Sequence, residues 1–133
     1  MAVSREDLPD LDPGEFLLGV WPAETARADG TGDRVGWLVL TDRRVLFYRR
    51  KGLLGRGAPE RPPLFAQRLE TIGGVTVRRY VLRVGYGDRI EIPGVAIDEQ
   101  GFRLNRESSA ENVRAEIERA GHARRAELGS TSG

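Results

Sequence analysis

The sequence predicts a mainly β (α+β) domain closed by one C-terminal helix, and three observations carry that expectation. Short segments rich in Val, Leu, Trp, Phe and Tyr follow one another between residues 15 and 105, separated by Gly, Pro, Asp and Asn. The stretch "LTDRRVLFYRR" (40–50) sets a polar knot between two apolar runs, the pattern of a hairpin. Only at 108–121 does the apolar spacing become helical.

Residues 1–13 are acidic, contain Pro9 and Pro13, and read as an extended lead-in with Leu8 and Leu11 as apolar anchors. The domain proper is expected over 14–122, and 123–133, ending in Gly-Ser-Thr-Ser-Gly, as a frayed tail. Residues 15–21 form the first expected strand, closed by Pro22. "TARADGTGD" (25–33) has turn chemistry. Residues 34–41 and 44–50 are strands. "KGLLGRGAPERPP" (51–63), with three Gly and three Pro, is expected to hold no regular structure. Short strands follow at 64–69, 75–79, 81–86, 89–92 and 102–105, divided or bent by Gly73, Gly74, Gly85, Gly87, Pro93, Gly94 and Gly101. The helix is expected over 109–120. Ser108 and Glu111 make a capping box at its start, and Gly121 stands where a left-handed C-terminal residue is wanted. Ala110, Val113, Ile117 and Ala120 line one narrow face.

Strand parity makes the hairpin unusual. Leu40 should face Val45, Leu38 face Phe47 and Gly36 face Arg49; on the other side Val39 meets Leu46 and Trp37 meets Tyr48. A sheet with one wet face should show polar residues in one of these sets. Neither set is polar. Leu38, Leu40, Val45 and Phe47 are assigned to the core, so Trp37, Val39, Leu46 and Tyr48 need a cover of their own. Two covers are open: the N-terminal segment through Leu8 and Leu11, or a protein interface, homo-oligomeric or with a partner.

About seven short strands followed by one amphipathic helix is the element order of the pleckstrin homology (PH) superfold. Gly14-Glu15 ahead of the first strand and "GWLVLTDRRVLFYRR" (36–50) carry the likeness over roughly residues 8–121. The chain resembles bacterial PH-domain and GRAM-like modules of that fold. The resemblance implies two near-orthogonal antiparallel sheets capped by the helix, and a recognition scaffold without catalysis whose ligands include lipid headgroups, peptides and its own copies.

The far end of the hairpin turns basic. Arg49, Arg50, Lys51 and Arg56 surround Leu53 and Leu54, the combination by which cations meet anionic headgroups while leucines enter the interface. Lipid-binding PH domains grip phosphoinositides with basic residues across the first hairpin; here Arg27 and Arg34 are the only cations of 15–34, so specific phosphoinositide recognition is not expected. With 21 basic against 20 acidic residues, no whole-molecule field draws the chain to nucleic acid, and no run of stacking aromatics accompanies the arginines.

Catalytic and metal chemistry find little support. The chain has no cysteine, which excludes disulfides and thiolate metal sites. Its single histidine, His122, is expected just past the helix end, on the last carbonyls. "GLLGRG" (52–57) lacks the Lys-Ser/Thr of a phosphate loop, and "DGTGD" (29–33) lacks the calcium-loop glutamate, position 40 being Leu. No catalytic residue, metal or cofactor is expected. The longest apolar runs are four residues, 37–40 and 45–48, and no secretory pattern opens the sequence. A cytoplasmic, bacterial interaction module is the expectation, self-associating or binding a partner through the outer hairpin face. The alternative is weak peripheral attachment to the inner membrane leaflet.

Overall fold

The computed structural model describes residues 3–27, 31–50, 57–92 and 95–131, with backbone alone for 86–92, 95–98, 108, 130 and 131. Seven strands, β1 (Leu17–Ala26), β2 (Gly32–Thr41), β3 (Arg44–Arg50), β4 (Pro59–Arg68), β5 (Ile72–Arg78), β6 (Val81–Ile92) and β7 (Val95–Arg103), precede one helix, α1 (Glu107–Thr131). Every pairing is antiparallel. Two near-orthogonal sheets of about seven strands were expected; the seven strands are present, and hydrogen bonding runs through all of them in the order β4-β3-β2-β1-β7-β6-β5. The joint is short. β1 pairs with β2 along its length, but meets β7 only where Glu24–Ala26 lie opposite Gly101–Arg103.

The sheet folds over so that its two halves share one core. Phe47 of β3 and Phe65 of β4 stand 5.5 and 5.3 Å, centroid to centroid, from Phe102 of β7. Leu38, Leu40 and Val45 join them from one half, and Leu82 and Val84 from the other. Burying each such side chain contributes about 1.5–3 kcal/mol. The expected helix face, Ala110, Val113, Ile117 and Ala120, packs into the same cluster. The hairpin register also matches: Leu40 opposite Val45, Leu38 opposite Phe47, Gly36 opposite Arg49.

Several boundaries differ from expectation, each for a physical reason. β1 runs through Pro22 to Ala26, because Pro22 lies where β1 has a neighbour on one side only and an absent N–H costs little. β4 begins at Pro59, inside the stretch expected to be irregular; as the sheet's edge strand it tolerates Pro62 and Pro63. β6 is one strand, with a register shift between Gly85 and Ile90 where a break was expected. β7 starts at Val95 although its sequence is rich in acids and Gln. Pairing with β6, aided by an Arg83–Glu99 contact of 3.7 Å, overrides that weak propensity.

The helix departs most. It begins at Glu107, so Ser108 lies inside its first turn, and Glu111 pairs with Arg114 at 2.9 Å. It passes through Gly121, which is buried, and continues to Thr131 where a frayed tail was expected. Arg125 Nη2 donates to the Ile72 carbonyl at 3.3 Å, and Arg124 Nε stands 3.9 Å from Glu70. These contacts tie the extra turns to the start of β5 and the 3-10 turn Leu69–Thr71 before it. His122 therefore sits exposed in mid-helix, not at a C-terminus.

Candidate functional site

Two regions gather the residues singled out by the sequence. The first is the outer face of the β2–β3 hairpin. Trp37, Val39, Leu46 and Tyr48 form a second apolar cluster with Leu8 and Leu11, joined by Val3, Leu17 and Val20. Val39, Leu46 and Tyr48 are 0% exposed and Trp37 8%. Of the two covers left open, the chain's own N-terminal segment occupies the face, so these four residues present no surface to a partner while it lies there.

The polar knot at 41–44 turns out to be the clasp for that segment. Pro13 and Gly14 form the centre of a turn closed by Glu15 N–H donating to the Asp12 carbonyl at 3.0 Å, with Gly14 at φ +82°. The turn sends Glu15 inward, where it is 1% exposed. Its carboxylate accepts from Thr41 Oγ1 at 2.6 Å, from Arg44 Nε and Nη2 at 3.0 Å each, and from Asp12 N–H at 2.9 Å. Burial alone would push this carboxyl up; the Arg44, Thr41 and Asp12 hydrogen bonds and the Arg44 charge outweigh it and hold it below the ordinary range. Asp42 exchanges hydrogen bonds with the Phe16 backbone, Arg44 Nη2 also donates to the Asp10 carbonyl at 2.8 Å, and Asp10 pairs with Arg61 at 2.9 Å. Sequence reasoning missed the Glu15–Arg44 pair. Its signal was a Pro-Gly turn directly ahead of a glutamate, with a Thr and an Arg at the ends of two apolar strands.

The second region is the basic end. Gly36 makes room for it: a Cβ there would lie 2.0 Å from the Tyr48 carbonyl oxygen. Arg50 Nε donates to the Gly36 carbonyl at 3.2 Å, and its guanidinium lies 4.4 Å above the Trp37 ring. Trp37 Nε1 in turn donates to the Gly57 carbonyl at 3.2 Å. Across a groove of about 610 Å3, Arg103 rests 5.5 Å over Tyr80. Val35, Asn105 and one carboxylate, Glu24, also line the groove. Among the described residues neither Arg50 nor Arg103 has a carboxylate within ion-pair distance. Arg49, next to Arg50 in β3 but on the alternate face, is exposed and stands opposite Glu60 in the ladder. Lys51, Leu53, Leu54 and Arg56 lie outside the described residues. Arg103, Tyr80 and Val35 were not anticipated; only the fold brings β7 and the β5–β6 turn to the groove that Arg50 lines.

Among the described residues, no group of three or more His, Asp or Glu side chains is placed to hold a metal ion, and no helix is long and apolar enough to cross a membrane. No family model matches the chain, and no curated protein matches it. Solved structures do. The linker-DH/PH domains of p115-RhoGEF align with 90% of this chain at a TM-score of 0.60 and 13% identity; the chain spans only 33% of that structure. The Slm1 PH domain in complex with inositol-4-phosphate aligns over 79% of this chain and 97% of its own, at 0.55 and 11%. The hSac2 domain from human phosphoinositide phosphatase Sac2 aligns over 90% of this chain and 78% of its own, at 0.58 and 11%. Identities this low establish the fold alone. The fold is PH-like.

Proposed function

We infer that the chain is a non-enzymatic binding module that docks reversibly on an anionic membrane surface by its basic end. The observation that carries this reading is the pair Arg50 and Arg103, each resting on an aromatic ring on either side of one groove and, among the described residues, with no carboxylate within ion-pair distance. Val35 and Tyr80 stand 51% and 42% exposed beside them, supplying the apolar contact that interfacial binding adds to charge. Arg49 and the adjoining Lys51, Leu53, Leu54 and Arg56 extend the same patch in sequence. At about 1 kcal/mol per cation near an anionic surface, the gross attraction is several kcal/mol, enough for weak, salt-sensitive binding.

The neighbours support the ligand class. One is a PH domain solved with inositol-4-phosphate and described as binding ligand in a non-canonical site; another comes from a phosphoinositide phosphatase. Arg27 of the first hairpin is already paired with Asp33 at 3.1 Å, which favours charge-driven attachment over recognition of one headgroup. A bacterial cytoplasm, with the protein seated on the inner leaflet, is the setting this reading assumes. The test is co-sedimentation with phosphatidylcholine vesicles with and without phosphatidylglycerol. Wild type should pellet with the anionic vesicles only, and Arg50→Glu with Arg103→Glu should stay in the supernatant. Equal pelleting of both proteins, or of neither, overturns the reading.

A further inference from the structure

Residues 3–15 lie on the outer hairpin face as a bound peptide would. Leu8 and Leu11, three residues apart, are 1% and 8% exposed and fill the surface made by Trp37, Val39, Leu46 and Tyr48. Cations flank that surface and meet the segment's acids and carbonyls: Arg44 takes the Asp10 carbonyl and the Glu15 carboxylate, Arg61 takes Asp10 at 2.9 Å, and Arg43 stands 3.8 Å from Asp12. None of the segment's residues belongs to the main core, which is built from β1 to β7, the Leu69–Thr71 turn, Leu104 and α1. The segment can therefore leave without dismantling the fold. The connection to β1 is the Pro13-Gly14 turn, two residues that would swing the segment outward on opening.

We propose that this face is a peptide site whose external ligand is the Leu8–Asp12 segment of a second copy, so that two chains exchange N-terminal segments. The site adjoins the cationic groove through Trp37, whose ring carries Arg50, but it does not need a ligand in that groove. A second copy is the occupant the chemistry specifies. Two leucines three apart, with acids at 10 and 12 beside them, satisfy this face, and another molecule of the same chain carries all of them in one segment. The tethered segment competes with the incoming one, so exchange grows as protein concentration approaches the effective concentration of a short tether, on the order of millimolar.

The chain has no cysteine, which makes the test direct. Asp10→Cys and Arg61→Cys are prepared separately, mixed in equal amounts at concentrations rising to about 1 mM, and treated with a short bismaleimide. The double variant in one chain calibrates reach, because it should cross-link within itself. The expected result is a cross-linked dimer of the two single variants that increases with concentration. It should disappear when Leu8→Asp and Leu11→Asp accompany Asp10→Cys, while Arg119→Cys, on an exposed part of α1, gives no such product with Asp10→Cys. A product confined to the double variant, or dimers equally abundant with Arg119→Cys, overturns the proposal.

Discussion

Glu15 loses its water on folding and keeps its charge, because four donors replace that water. A carboxyl held below its ordinary value of 4.5 contributes stability that is present above that value and lost as pH falls through the lower folded value. Acid unfolding should therefore steepen below pH 4.5. Glu15→Gln should cost about 3 kcal/mol at neutral pH, the lower end for a broken buried pair because Arg44 keeps some solvent contact. Urea melts at pH 7 and pH 3 check this: the difference between variant and wild type should shrink in acid. Tyr48 works in the opposite direction. Burial first, then the Asp10 carboxylate beside it, push its hydroxyl from 10.0 up to about 12. Its contribution is complete below pH 10 and is lost as pH rises toward 12, so tyrosinate absorbance and loosening of the N-terminal segment should appear together in that window. Gly36→Ala should destabilise by roughly 1–3 kcal/mol, since its Cβ would meet a backbone carbonyl that has no room to move.

At the scale of elements, Gly121 gives the sharpest test. The nearest side-chain atom to a Cβ there would be the end of Arg125, at 3.6 Å, an ordinary contact. In a continuous helix Gly121→Ala should raise stability by about 0.5–1 kcal/mol; at a left-handed helix end it would lower it. Thermal melts read the sign. Gly121 also shows where sequence reading stops. The four apolar positions of α1 and the two-sided parity of the hairpin were legible, because burial of a fixed face imposes a period that composition cannot hide. Helix length was not: the turns after Gly121 are held by Arg124 and Arg125 reaching to Glu70 and Ile72, contacts between residues more than 50 apart. The start of β7 and the proline-bearing start of β4 were missed for the same reason, since each is decided by its neighbour or its edge position. The candidate site was half legible. Arg49 and Arg50 stood out as a basic run, whereas Arg103 joins them only through the fold.

For the molecule as a whole, the structure separates a sealed face from an open one. The outer hairpin face belongs to the N-terminal segment; the end bearing Arg50 and Arg103 belongs to solvent. Leu8→Asp with Leu11→Asp should uncover the four apolar side chains while the main core persists. The expected result is raised binding of a hydrophobic dye, a lowered melting temperature and an unchanged far-ultraviolet spectrum; a spectrum lost with the dye signal would mean that the segment is part of the main fold. We propose that the open cationic end is the part that meets an anionic membrane. The most direct measurement of this is residue-resolved line broadening in an isotope-labelled sample titrated with phosphatidylglycerol-containing vesicles. Broadening should centre on Arg49, Arg50, Tyr80, Arg103 and Asn105 and leave Leu8, Val39 and Leu46 sharp. Broadening centred on Leu8, Val39 and Leu46 would contradict it.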